Sequence, residues 1–309
     1  MTLTQLKYLV AVARERHFAR AAAACFVSQP TLSVAVKKLE EELGVAVFER
    51  GTADVGLTDV GKQVVAQAQR VLEQANAIGE IAKQGKDPLT GPLRLGLIYT
   101  IGPYLLPQLV PALHKLAPQM PLFVEETFTS RLLELLKQGE IDAAILALPF
   151  AEPGIEIAPL YDEDFVVALP AGHAWEKRKT IAAEDLKKDT MLLLGAGHCF
   201  RDQVLQVCPE ISRFSTPGEG MQRTFEGSSL ETIRHMVASG VGITVMPGSA
   251  VPDPVPKGSL LSYRPFARPA PERRVVLAWR ASYPRVAAIE AIRRAVGRCQ
   301  LNGTTKLAA

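Results

Sequence analysis

Residues 195–208 read GAGHCFRDQVLQVC and hold the side chains best suited to redox chemistry. An apolar strand-like run at 191–194 leads in, Gly195 and Gly197 break it, and 200–207 reads as a helix. Cys199 therefore falls near a helix N-terminus. Unpaired N–H groups and the helix dipole favour a thiolate there, and His198 and Arg201 add positive charge. Cys208 follows just before Pro209. Nine residues of helix rise about 13.5 Å, whereas a disulfide tolerates Cα separations up to about 7 Å. If both cysteines lie on one helical segment, they bond only after that segment unwinds, which makes a switch rather than a staple. The alternative is two buried, inert apolar cysteines. The glycine, histidine and arginine around Cys199 favour reactivity.

The elements that position such a thiol must come from a chain of 309 residues, long enough for two or more domains with real cores. Apolar residues at 48% and charged residues at 22% are ordinary for a globular protein. No apolar run is long enough to span a membrane, and the start, MTLTQLKYLVAV, is not a signal peptide. Four cysteines are too few for a disulfide scaffold and fit a reducing cytoplasm. Net charge is only +3, and residues 1–58 carry seven Lys and Arg against six Asp and Glu, so bulk charge does not announce nucleic-acid binding. Any DNA-binding reading must come from pattern. No histidine spacing suggests a metal, and no GxGxxG, Walker loop or GxSxG is present, so no cofactor is expected.

Leu6, Leu9, Val10 and Ala13 mark one face of a first helix, and 18–25 is a short alanine-rich second. Ser28 is a good N-cap, and Pro30 is tolerated in a first turn. Leu32, Val36, Leu39 and Leu43 form the buried stripe of a third helix that Gly44 ends. Gln29, Ser33 and Lys37 line the opposite, polar face. Residues 45–48 and 55–58 read as a short hairpin, a wing. Two helices joined by a tight turn suggest a helix-turn-helix. Gln29 suits adenine, Ser33 several bases, and Lys37 guanine or phosphate. An ordinary three-helix bundle with a solvated face fits the periodicity equally well.

The stretch FARAAAACFVSQPTLSVAVKKLEEELGVAVFERGTADVGLTDVGK resembles the DNA-binding head of LysR-type transcriptional regulators, with the AA pair, SQP-x-L-S, LEEELG, F-x-R and LT-x-x-G all at the family spacing. The resemblance implies a winged helix-turn-helix over 1–58 whose third helix enters the major groove. Ser28, Gln29, Pro30, Thr31, Ser33 and Lys37 would then meet double-stranded DNA, and Arg50 on the wing would hold phosphate. Cys25 stands where the family often has leucine, so a core position is expected for it.

Val64, Ala68, Val71, Ala75, Ile78 and Ala82 are spaced as a heptad seam on a linker helix over 59–87. A seam this regular favours dimerisation; the alternative is packing on its own domain. From 88 to 300, strands alternate with helices, which indicates a parallel sheet with crossover helices. The order resembles the family's two-lobed, periplasmic-binding-protein-like α/β regulatory domain, with GEIDAAIL and VASGVGITVMP as landmarks. Ligands of open α/β sheets bind beyond the C-terminal strand ends. Thr100 and Thr129 follow the first and second strands, where they either face the cleft or merely cap turns. Asp142 is read as structural. Nine arginines between 264 and 298 are read as a solvated surface, and 301–309 is set aside as a tail, partly vector-derived.

Within the family, GHCFRDQ…C resembles the hydrogen-peroxide-sensing members. That resemblance implies Cys199 as the peroxide-reacting cysteine, Cys208 as its resolving partner, and Thr100, Thr129, His198 and Arg201 as the peroxide pocket. It also implies a tetramer built as a dimer of dimers, action on RNA polymerase, and resetting by a dithiol protein such as glutaredoxin or thioredoxin. Three alternatives are weighed against it: a regulator with an ordinary small-molecule effector, a thiol peroxidase, and a transport-type solute-binding protein. The head argues against the last two.

Overall fold

The computed structural model describes residues 1–49, 55–84, 88–209 and 224–307. It divides into two compact units, Met1–Asp87 with Ser282–Pro284, and Pro88–Ala281 with Arg285–Ala309.

In the head, α1 (Leu3–Glu15) starts at a capping box. The Thr2 hydroxyl accepts from the Gln5 N–H at 3.2 Å, and the Gln5 side chain accepts from the Thr2 N–H at 2.8 Å. Helix α2 (Phe18–Ala24) is capped by the His17 ring. Helix α3 (Gln29–Leu43) is capped by Ser28, which accepts from the Thr31 N–H at 3.3 Å, and ends at Gly44 with φ 70°. Leu9, Val12, Ala21, Leu32, Val36 and Leu39 close the core between the three helices. Cys25 packs half-buried at its edge.

One expectation is met here and one needs correction. The wing hairpin is present: Phe48 and Leu57 form an antiparallel bridge, flanked by the Glu49 N–H donating to the Gly56 carbonyl and the Thr58 N–H donating to the Val47 carbonyl, each at 3.0 Å. The Glu40 carboxylate accepts from the Val47 and Phe48 N–H groups at 2.7 and 3.1 Å, so those donors are not available to a ladder. Arg50, at the wing, lies outside the described residues. The linker helix α4 (Asp59–Gln84) does not leave its whole seam free. Ala68 is buried in the head's own core, and Val64 and Val71 pack against it. Only further along is the seam uncovered, where Ile78 is 70% exposed.

The second unit is a two-lobed α/β body. In the first lobe, β1 (Leu93–Leu97) lies parallel between β2 (Leu122–Glu126) and β3 (Ala143–Ala147), crossed over by α5 (Gly102–Leu116) and α6 (Thr129–Gln138). The second lobe holds β5 (Met191–Leu194), α7 (Cys199–Val207), β6 (Thr224–Gly227), α8 (Leu230–Ala238), β7 (Thr244–Pro247) and β8 (Leu261–Pro265). One long strand, β4 (Ile155–Pro170), serves both lobes. Its first half pairs with β9 (Glu272–Arg280), which also pairs with β3, and its second half pairs with β7 and β8. Helix α9 (Val286–Arg298) packs back on the first lobe.

The body corrects two further expectations. The tail is part of the fold: β10 (Thr304–Lys306) pairs antiparallel with β4 from Tyr161 to Glu163. The arginines after 264 are not simply a solvated surface. Arg273, Arg280 and Arg285 are buried, and Arg285 donates to the Pro92 and Thr90 carbonyls at 2.7 and 2.8 Å. A buried guanidinium carries five donors, and strand-end carbonyls supply acceptors. Asp142 is structural, accepting from the Arg94 N–H at 2.7 Å. No described helix is long and apolar enough to cross a membrane.

Candidate peroxide-reactive thiol site

Three loops leave the C-terminal ends of parallel strands, after β1, β2 and β5, and converge on one small cavity. Its lining includes Tyr99, Thr100, Phe128, Thr129, His198 and Cys199, and it offers ≈ 10 Å³ to the centre of a water-sized molecule. That is about the room one water requires.

Cys199 is the first residue of α7 and Cys208 its C-cap, so the two cysteines stand at opposite ends of one helix, both as free thiols. Residues nine apart on a helix stand about 13.5 Å apart, beyond the reach of a disulfide while the helix is intact. Cys208 is buried in the second lobe's core with Phe200 and Val204. Gly197 adopts φ 94°, a left-handed backbone that turns the chain into α7, and a Cβ there would meet the Phe128 ring at 3.4 Å.

Thr100 is buried and fixed. Its hydroxyl oxygen accepts from Arg273 Nη1 at 2.8 Å, and its carbonyl accepts from Nη2 at 2.9 Å. Arg273 in turn pairs with Glu163 at 2.6 Å, neither side chain exposed. A hydroxyl that accepts from arginine keeps its own proton to donate elsewhere. Thr129 opens α6, and its Oγ1 is buried with no hydrogen-bond partner. A buried orphan hydroxyl is costly unless a ligand or water satisfies it.

His198 departs from expectation in its charge. Burial pushes its pKa down, disfavouring the cation, against a smaller upward effect of the Ser228 backbone. Arg201 does not line the cavity; its Nη1 donates to the Leu194 carbonyl at 2.7 Å, which ties α7 to the end of β5. The structure thus brings Thr100, Thr129, His198 and Cys199 together, with Cys208 and Arg201 outside the cavity. Sequence reasoning missed Arg273 and Glu163, which support Thr100 from distant strands, and the rings of Tyr99 and Phe128. The rings did leave a signal: an aromatic residue precedes the polar one in Tyr99-Thr100, Phe128-Thr129 and His198-Cys199.

A helix-turn-helix head followed along the chain by a long helix and a two-lobed α/β body, with the cleft between lobes holding the chemistry, defines an effector-responsive transcription regulator. Family comparison agrees: "Bacterial regulatory helix-turn-helix protein, lysR family" matches residues 3–62 and "LysR substrate binding domain" matches 86–299. The chain belongs to the LysR family of bacterial transcriptional regulators. It is 40% identical over 303 residues to the DNA-binding transcriptional dual regulator OxyR of Escherichia coli K12, covering 98% of this chain and 97% of that protein. A full-length OxyR from Pseudomonas aeruginosa with a cysteine-to-aspartate substitution superposes with a TM-score of 0.79 at 52% identity, covering 100% of this chain and 99% of that one. A cysteine-to-serine variant of Corynebacterium glutamicum OxyR, described as H2O2-bound, gives a TM-score of 0.63 at 34% identity over 96% of this chain and 92% of that one.

Proposed function

We propose that this protein is a cytoplasmic transcriptional regulator, not an enzyme, that senses hydrogen peroxide through Cys199 and Cys208 and controls oxidative-stress genes. One observation carries the reading: a buried, unpartnered Thr129 hydroxyl lines the same small cavity as the Cys199 thiol. The cavity suits a small, doubly hydrogen-bonding molecule, and a relative with this fold is described as H2O2-bound.

The residues gathered at the site support the following chemistry. The Cys199 thiolate attacks one peroxide oxygen, an S–O bond forms and the O–O bond breaks. Sulfur is oxidised by two electrons to the sulfenic acid, and the departing oxygen leaves as hydroxide and takes a proton to become water. Hydroxyl protons of Thr100 and Thr129 and the His198 ring stabilise the departing charge. Cys208 then displaces water from the sulfenic acid to form the disulfide, which requires α7 to unwind. The altered surface changes how copies of the body assemble in a tetramer, a dimer of dimers. On promoter DNA the Gln29, Ser33 and Lys37 face of α3 reads bases, with Ser28, Pro30 and Thr31 at its start and Arg50 on phosphate. The bound regulator engages RNA polymerase, and a glutaredoxin- or thioredoxin-type dithiol resets it. The test is a peptide map under non-reducing conditions after a micromolar peroxide pulse: a Cys199–Cys208 linkage is expected, and its absence sinks the reading.

Two further outcomes separate function from structure. Thr129→Val is expected to slow Cys199 oxidation by about 10²–10³-fold, the usual cost of losing one preorganised donor. Because that hydroxyl has no partner, removing it should leave the urea midpoint unchanged or raise it. A fall in both would make Thr129 a structural cap. On α4, Ile78→Asp should weaken dimerisation in ultracentrifugation without altering the head's melting temperature. Val71→Asp should lower that temperature, because it puts a charge against the head's own core.

A further inference from the structure

We infer that the rings of Tyr99 and Phe128 form a size gate that admits hydrogen peroxide to Cys199 and excludes alkyl hydroperoxides; this rests on the peroxide reading above. The two rings meet edge to face, with centroids 5.5 Å apart at 79°. Each also meets the His198 ring, Phe128 at 4.8 Å and Tyr99 at 5.7 Å. Three mutually contacting rings, two from the first lobe and one from the second, therefore wall one side of the cavity. None can move without losing contacts to the other two. The Phe128 ring also lies beside the backbone at Gly197, where a Cβ would make ordinary contact with its ring carbons at 3.4 Å.

The polar groups of the cavity, Thr100, Thr129 and Cys199, match a molecule that is two hydrogen-bonding oxygens and nothing more. An alkyl hydroperoxide carries the same O–O bond with a carbon group on one oxygen. Tyr99, Phe128 and His198 line the small cavity, so that carbon group meets the rings. Misfit of a single carbon in a formed pocket changes selectivity by about 10–200-fold, and a tertiary butyl group is larger. Tyr99 is partly exposed, as the outer leaf of a gate would be.

The experiment measures second-order rates of Cys199 oxidation in the reduced full-length protein, with hydrogen peroxide and with tert-butyl hydroperoxide. The parent protein should prefer hydrogen peroxide by more than about tenfold. In Phe128→Ala and Tyr99→Ala the preference should shrink at least tenfold, through a faster reaction with the bulky peroxide. Phe128→Trp should keep the exclusion. Equal parent rates with the two peroxides, or an unchanged preference in both alanine variants, overturns the gate while leaving the sensor reading intact. If Phe128→Ala does not fold, Tyr99→Ala decides alone, because its ring is already at the surface. A parent protein in which hydrogen peroxide leaves Cys199 reduced defeats the sensor reading and the gate together.

Discussion

Serine in place of Cys199 is expected to abolish the transcriptional response to peroxide outright. A serine hydroxyl is almost wholly protonated at neutral pH and is not oxidised by peroxide, so no sulfenic acid forms and Cys208 has nothing to displace. The loss should be complete rather than graded, with the fold intact, because Cys199 is only half-buried at the helix start. Replacing Cys208 instead should leave the first step running. Sulfenic acid then accumulates and climbs to sulfinic and sulfonic acid, because its resolving thiol is gone. Intact-mass measurement of both variants after a peroxide pulse distinguishes the two steps. A Cys199→Ser protein that still induces its target genes with peroxide would place the sensor elsewhere. One that responds to another small molecule would identify an ordinary effector-binding member of the family.

The second large effect concerns α7. Oxidation should convert amides of 200–207 from slow to fast hydrogen exchange, because the helix that separates the two thiols cannot persist once they are bonded. The cost is appreciable. Phe200 and Val204 are each 2% exposed, and Phe200 meets Phe165 edge to face at 5.0 Å. Withdrawing such side chains from the core costs roughly 1.5–3 kcal/mol each. Arg273 stacks over the Phe200 ring at 5.0 Å, so the same withdrawal removes a contact of the group that holds Thr100. Oxidation should therefore loosen the peroxide site as it remodels α7. Deuterium uptake of the two redox forms is the measurement. A Cys199–Cys208 bond formed with 200–207 still protected would rule out the unwinding mechanism.

Much of this was legible in the chain itself, and for local reasons. Caps and stripes of α1 and α3, the strand–helix alternation of the body and the placement of Cys199 at a helix start depend on neighbours within a few residues. What stayed hidden depends on residues far apart. Arg273 is one arginine in a basic stretch until β9 lies beside β4 and sets it on Glu163. The seam of α4 is one continuous repeat in sequence, yet α1 takes its first half and leaves Ile78 open. Val47 and Phe48 have strand-forming side chains, but their amides go to Glu40, seven and eight positions back. His198 reads as a cation beside a thiol, and only its surroundings show that burial disfavours that charge.

The last strand has a practical consequence for anyone dividing this protein into fragments. A cut at residue 300 falls cleanly between a helix and a short polar stretch, and by sequence it looks harmless. It would strip β10 from Tyr161–Glu163 and remove Gly303, which lies so close to Gly248 that a Cβ on either would come within 2.8 Å of the other's Cα. Glu163 is the carboxylate that holds Arg273, and Arg273 holds Thr100. A trimmed fragment could keep its thiols, its helix and its lobes and still react sluggishly with peroxide. The boundary chosen for a fragment would then be mistaken for a property of the sensor.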